Sequence, residues 1–375
     1  MKELNVGILG FGFMGRAHAY GYLNLPLFYD PVPLRARLHS VCTSHRETAE
    51  RARALLNFER ACTDYREITE DPEIGIVHIC TPNKFHKEAL LSAMAHGKHI
   101  YCDKPLVVNA AEADEIARAL PGYGGIAQMA FHNRFFPATL RARELVEEGF
   151  LGKVLSFRAA YLHSGSADPE APLKWKLSRE MGGGVILDLG SHALDLMDHL
   201  VGGFESIWCA TAIAYADRPA ADGSGRVPVE TEDAALMAIR LRGGCLGSVE
   251  ASKIATGTLD ELRFEIHGEK GALRFDLMRP NWLEVYEREG RGGWQALDTV
   301  QDYPKPAAGF PSPKASVGWI RAHAACLHNF LDAIAQGEPA EPSLRQGISI
   351  QRVMEAARIS DREGRWVDLR ETGAA

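Results

Sequence analysis

The sequence predicts an α/β first domain with a doubly wound parallel sheet, followed by an α+β second domain built on a large, mostly antiparallel open sheet. Three observations predict it. Strand and helix signals alternate through the first third of the chain. A glycine-rich turn joins the first strand to the first helix, and beyond Pro137 the pattern changes to short runs separated by glycine turns. At 375 residues the chain exceeds what one hydrophobic core usually holds. Two domains are expected, residues 1–133 and 134–375, with the C-terminal helical segment free to pack back on the first.

In the first domain the apolar run Leu4–Leu9 reads as a strand, followed by Gly10-Phe11-Gly12-Phe13-Met14-Gly15 and a helix from about Met14. The residues Asn24–Arg35 read as an unusually long loop. Strands follow at Arg37–Cys42, Ile74–Cys80, Lys98–Cys102 and Gly125–Phe131. Helices are expected at Arg46–Leu55, near Tyr65–Glu70, at Lys84–His96 and at Ala110–Leu120. After a linking helix from Pro137 to Glu148, strand runs are expected at Val154–Leu162, Ile207–Ala214, Ala234–Leu241, Cys245–Ser252, Leu262–His267, Ala272–Leu277 and Leu283–Glu287. Apolar helices at Leu187–Leu200 and Ala322–Ala335 would cover one face of their sheet. Asp217–Glu230 and the Pro-rich Tyr303–Pro313 read as loops, the second long enough to serve as a lid or only as a connector.

The net charge of −7 comes without a Lys/Arg block, which argues against nucleic acid or an anionic membrane surface as main partner. No run is apolar for long enough to span a bilayer, and Met1-Lys2-Glu3 leads straight into the first strand. A cytoplasmic enzyme is expected. The seven cysteines are scattered without a C-x-x-C pair, so neither a disulfide framework nor a zinc site is expected.

The G-x-G-x-x-G turn between strand and helix carries the first chemistry. Gly10 allows the tight turn, Gly12 lets the backbone approach a pyrophosphate, and Gly15 lets helix and strand pack closely. Free N–H groups of the helix, beginning around Phe13 and Met14, then face the anion. This is the Rossmann arrangement for a dinucleotide. Ligands of such sheets lie at the carboxyl ends of the strands. Those ends hold Thr81-Pro82-Asn83-Lys84-Phe85-His86, Asp103-Lys104-Pro105 and His132-Asn133-Arg134-Phe135.

Together with Gly182-Gly183-Gly184-x-x-x-Asp188-x-Gly190-x-His192-x-x-Asp195 and the closing Gly364–Leu369, these motifs resemble the glucose-fructose oxidoreductase, inositol dehydrogenase and rhizopine-catabolism (Gfo/Idh/MocA) family over nearly the whole chain. The resemblance implies NAD(P)-dependent hydride transfer at a hydroxyl or carbonyl carbon of a small polyhydroxylated substrate, a sugar, sugar derivative or cyclitol. It implies Lys104, Asp188 and His192 as catalytic residues, and a homodimer or homotetramer formed through the C-terminal sheet. Cofactor contacts are expected from the glycine turn and from Thr81, Pro82, Asn83, His86 and Lys104; substrate contacts are expected from Asn133, Arg134 and Trp175. The family pattern usually has Glu where this chain has Asp103.

Physical chemistry supports the three central roles. A lysine at the cleft favours the alkoxide that develops as hydride leaves carbon. Asp188 and His192 stand four apart, so on a helix they share a face, where the imidazole can take the hydroxyl proton and the carboxylate can orient it. A bland reading remains for each: a solvated lysine, and a helix capped by Asp188 or Ser191. Trp175 suits sugar stacking and core packing equally. A metal site on Asp188, His192, Asp195 and His199 is not expected, because their spacing drifts around the helix. The second strand ends in Cys42-Thr43-Ser44-His45-Arg46 without the acid that typically holds an NAD ribose, so Ser44 and Arg46 favour NADP, with NAD possible. Two rival functions share these features: a redox-neutral glycosidase or lyase using transient oxidation, and a non-enzymatic sensor.

Overall fold

In the computed structural model, residues 3–290, 292–300, 310 and 315–374 are described. Six strands form one parallel sheet: β1 (Glu3–Leu9), β2 (Arg35–Cys42), β3 (Arg60–Cys62), β4 (Ile74–Ile79), β5 (His99–Cys102) and β6 (Ala127–Met129). Their order is 3-2-1-4-5-6. Helices α1 (Phe13–Phe28), α2 (Arg46–Leu56), α3 (Arg66–Thr69), α4 (His86–Ala95) and α5 (Ala110–Ala119) join them. Val6, Ile8, Val41, Ile76, Val77, Ile79 and Ile100 are fully buried, as expected of strands covered on both faces. The order reverses between β1 and β4, which opens the crevice beside the glycine turn.

Helix α6 (Pro137–Glu147) leads into a second lobe with a nine-stranded mixed sheet. Its members are β7 (Val154–Leu162), β8 (Phe204–Ala212), β11 (Ala234–Leu241), β12 (Leu246–Ser252), β13 (Glu261–Gly268), β14 (Gly271–Asp276), β15 (Trp282–Glu287), β16 (Gln295–Asp298) and β17 (Val367–Asp368). Among the described residues of this sheet, only β7 and β12 pair in parallel. The alternation along β11, with Met237 and Ile239 buried and Leu236 exposed, leaves one face covered and one open. Helix α7 (Ser191–Val201) packs on the covered face. Helices α8 (Trp319–Gln336) and α9 (Leu344–Glu363) return to the first lobe, where α8 lies along α1 and α9 along α5.

Three expectations are corrected. The segment expected as a long loop instead continues α1 to Phe28, with Pro26 inside its last turn. The loop expected at Asp217–Glu230 contains a small hairpin, β9 (Asp217–Pro219) paired with β10 (Arg226–Pro228). Edge strand β3 and helix α9 were not foreseen. Apart from Phe310, the loop expected at Tyr303–Pro313 as lid or connector lies outside the described residues. Among the described residues no helix is long and apolar enough to cross a membrane.

Candidate active site

The glycine turn crosses the carboxyl ends of β1 and β4. Gly10 takes φ +89°, and a Cβ there would lie 2.6 Å from the Cys80 carbonyl oxygen; one on Gly15 would lie 2.2 Å from the Gly10 oxygen. Only glycine fits either place. A Cβ on Gly12 would meet nothing within 4 Å, so the turn's outer side is open. Gly12 caps α1 without a side-chain bond, leaving the first-turn N–H groups around Phe13 and Met14 available to an anion. These features fit a dinucleotide pyrophosphate.

At the end of β5 the Lys104–Pro105 peptide is cis, and Asp103 accepts the Lys104 backbone N–H at 2.8 Å. The Lys104 ammonium reaches across to the second lobe, donating to the Asp188 carbonyl at 2.6 Å and to its Oδ1 at 3.2 Å. Asp188 lies on a π-helical turn, Ile186–Gly190, that feeds α7, and His192 follows in the first turn of α7. Such turns occur mostly as single insertions near functional residues.

Two further lysines meet the same carboxylate. Lys176 approaches Oδ1 at 3.0 Å and Lys253 approaches Oδ2 at 3.2 Å. Burial alone would raise the Asp188 carboxyl, but Lys104, Lys253 and Lys176 together hold it well below the usual range. Asp188 is therefore a fixed anion. Its carboxylate is given to lysines and not to the His192 ring, which corrects the expected Asp–His orienting pair. Its backbone carbonyl lies 3.5 Å from the Ser191 hydroxyl, and no side-chain cap forms at the start of α7.

His192 is 4 % exposed, and its Nδ1 has no partner among the described residues. Burial, then the Lys104 ammonium beside it, pushes its pKa well below the ordinary value. The ring lies 5.6 Å from Tyr161, whose hydroxyl donates to Asp260 at 2.7 Å, and 5.2 Å from His132. His132 in turn stacks on His323 of α8 at 3.6 Å.

His132, held at about 3 mainly by burial, joins His192 and His323, both lowered well below their ordinary value by the same cause. In the unfolded chain each takes a proton near pH 6.5, so below that pH the unfolded state binds more protons and stability falls. Asp195, raised to about 6 by burial despite Arg134, acts in the opposite sense and offsets a fraction. With His18, His78, His199 and His328 lowered by burial as well, the balance predicts that the unfolding free energy falls as the pH drops from 7.5 to 5.5. Urea melts across that range check it; a flat profile would contradict it.

Other expected site residues fall elsewhere. His86 is buried with its ring nitrogens facing the carbonyls of Thr81 (2.9 Å) and Pro105 (3.0 Å), a brace behind the crevice wall instead of a cofactor contact. Arg134 is buried in an ion pair with Asp195, Nε to Oδ2 at 2.8 Å, which commits its guanidinium to the interior. Asn133 is 1 % exposed, and both atoms of its amide have no hydrogen-bond partner among the described residues. Asn83 donates to the Gly182 carbonyl at 2.7 Å and ties the second lobe's glycine run to the first lobe. Thr81 and Pro82 line the β4 end. Trp175, 37 % exposed, precedes Lys176 in the turn over Asp188. Ser44 is exposed, while the exposed Arg46 pairs with Glu50 at 2.5 Å and donates to the Ala61 carbonyl at 3.0 Å.

Sequence reasoning missed Lys176 and Lys253. Lys253 directly follows β12, the strand beside β7, so strand-end position was a signal for it; Lys176, in a turn, offered none.

Comparison with known proteins follows the same layout. Residues 4–131 match a family described as "Oxidoreductase family, NAD-binding Rossmann fold", and residues 143–369 match "Oxidoreductase family, C-terminal alpha/beta domain". Levoglucosan dehydrogenase of Pseudarthrobacter phenanthrenivorans is 33 % identical over 390 residues, covering 100 % of both chains. Myo-inositol 2-dehydrogenase of Thermotoga maritima is 26 % identical over 299 residues, covering 78 % of this chain and 81 % of that one. The solved complex of levoglucosan dehydrogenase with NADH and levoglucosan superposes with a TM-score of 0.94 at 33 % identity, over 98 % of this chain and 99 % of that one. With both lobes matched and a relative aligned end to end, this chain belongs to the Gfo/Idh/MocA family of oxidoreductases.

Proposed function

We propose that this protein is an NAD(P)-dependent dehydrogenase acting on a CH–OH group of a cyclic sugar, sugar derivative or cyclitol. One observation carries the reading: Lys104 of the first lobe bonds to Asp188 of the second, one helical turn from His192, at the open end of the dinucleotide crevice. The named relatives act on levoglucosan and myo-inositol.

When bound, the nicotinamide supplies the hydride acceptor. His192, kept neutral by burial, accepts the hydroxyl proton. Lys104 stabilises the negative charge that grows on the oxygen. Asp188 anchors the ammonium from two atoms, so it needs no reorganisation as charge develops. Trp175, 37 % exposed, offers a ring face to the sugar. Reduction runs the same steps in reverse.

The end of β2 carries Thr43 and Ser44 where an acid would hold an NAD ribose, while Arg46 is already paired with Glu50 and Asp64 and Glu67 act on nearby Cys42. The NADP preference expected from sequence is thereby narrowed: NADH and NADPH should bind within about tenfold of each other, a difference of about 1.4 kcal/mol. Fluorescence titration with each checks this; a preference well beyond tenfold would contradict it. Support for a cytoplasmic location comes from the cysteines, which are all free. The open face of the nine-stranded sheet, carrying exposed Leu236, Leu246 and Trp282, is the proposed contact between copies.

A panel of sugars and cyclitols followed at the nicotinamide absorbance band tests the function. Cofactor reduction with at least one of them is expected. Product formed without net absorbance change would favour a redox-neutral reaction instead.

A further inference from the structure

Behind the glycine turn lies a second group of chemistry-bearing side chains that the reaction does not use. His78 and Cys80 stand two apart at the end of β4 and therefore point to the same face of the sheet. His18, in the second turn of α1, lies over that face. His18 and His78 are 2 % and 0 % exposed. Their rings stack at 4.5 Å, and His18 Nδ1 lies 3.2 Å from Cys80 Sγ. One donor atom from each of the three residues falls within 4.8 Å of the others.

Both ring nitrogens of His78 and Nε2 of His18 have no hydrogen-bond partner among the described residues, and neither does the Tyr22 hydroxyl next to them. A buried donor or acceptor left unmade costs about 1–3 kcal/mol. An apolar ring of similar size would pack without that cost. A neutral imidazole offers one ring-nitrogen lone pair, and a thiolate offers its sulfur. Two neutral imidazoles and a thiol are the donor set of a borderline or soft cation. Asp103 lies close enough to act electrostatically on both His18 and Cys80, adding a compensating charge.

We propose that His18, His78 and Cys80 bind one thiophilic d10 cation, of the Zn2+ or Cu+ class, which staples α1 to the end of β4 directly behind the dinucleotide turn. Bond lengths of about 2.0 Å to nitrogen and 2.3 Å to sulfur put tetrahedral donors about 3.3–3.7 Å apart. The donor atoms stand within 4.8 Å of one another, so binding requires the triad to close further. Binding displaces the Cys80 proton to solvent, so one proton is released per cation and affinity falls with falling pH. This departs from the expectation, drawn from cysteine spacing, that the chain holds no metal.

The test uses the full chain, stripped of metal under reductant. Zn2+ is titrated against a chromogenic chelator, and Cu+ against a Cu+-selective one. One equivalent of at least one ion should bind per chain and raise Tm, and both effects should be lost in Cys80→Ser and in His78→Phe. Cys42→Ser, which alters the Cys42/Cys62 strand pair instead, should retain them. X-ray absorption of the loaded wild-type protein supplies a readout that needs no variant to fold, with a mixed shell at about 2.0 and 2.3 Å expected. Substoichiometric uptake of both ions, binding that survives Cys80→Ser, or a shell without sulfur would overturn the proposal.

Discussion

Lys104→Ala is expected to lower kcat by about 10³-fold while leaving NADH affinity within a fewfold of wild type. The magnitude follows from removing one preorganised charge that meets the developing alkoxide, an effect worth about 10²–10³ or more in rate at sites shielded from water. Cofactor affinity should be spared because the pyrophosphate end of the crevice is built from Gly10, Gly12, Gly15 and the start of α1, none of which depends on the Lys104 ammonium. The fold should be spared as well, since Asp188 keeps Lys176 and Lys253. Stopped-flow or steady-state assays paired with a fluorescence titration separate the two quantities. Unchanged turnover would remove Lys104 from the chemistry; a matched loss of cofactor affinity would make it a binding residue.

Replacing Asp188 with Ala should act on stability and rate together. Three ammonium groups share this one carboxylate, and two of them, Lys104 and Lys253, are largely buried. Removing one partner of a buried charge network typically costs about 3–5 kcal/mol, because the remaining charge is stranded. A drop of that size in unfolding free energy is expected, along with a rate loss comparable to that of Lys104→Ala as the ammonium loses its anchor. Adding Lys253→Met should restore much of the stability without restoring the rate. Such a split would separate the electrostatic balance of the site from its chemistry. If Asp188→Ala melts like the wild type, the lysine cluster is not held by this carboxylate.

The alternation of strand and helix, the glycine turn and the strand-end motifs made the fold readable from sequence, and the family motifs singled out Lys104 and Asp188, which the structure brings into contact. Local signals suffice there: the turn needs φ +89° at Gly10, and Lys104 sits where parallel sheets present ligands. Features depending on distant partners were not readable. Arg134 reads like a ligand-binding residue until Asp195, 61 positions on, takes its guanidinium. His86 reads like a cofactor contact until carbonyls from two separate turns close on its ring. Lys176 and Lys253 gain meaning only when the sheet and the π-helical turn bring them to one carboxylate. The residues Asn24–Phe28 read as loop, but α1 runs on through Pro26 to Phe28.

The most direct test of the two-lobe site is a crystal structure of the ternary complex with NADH and a sugar that the assay identifies as a substrate. One sugar hydroxyl should lie about 2.6–3.2 Å from both the Lys104 ammonium and a ring nitrogen of His192, with its carbon over the nicotinamide. A hydroxyl bound to neither group, or the two groups engaged on different parts of the ligand, would contradict it.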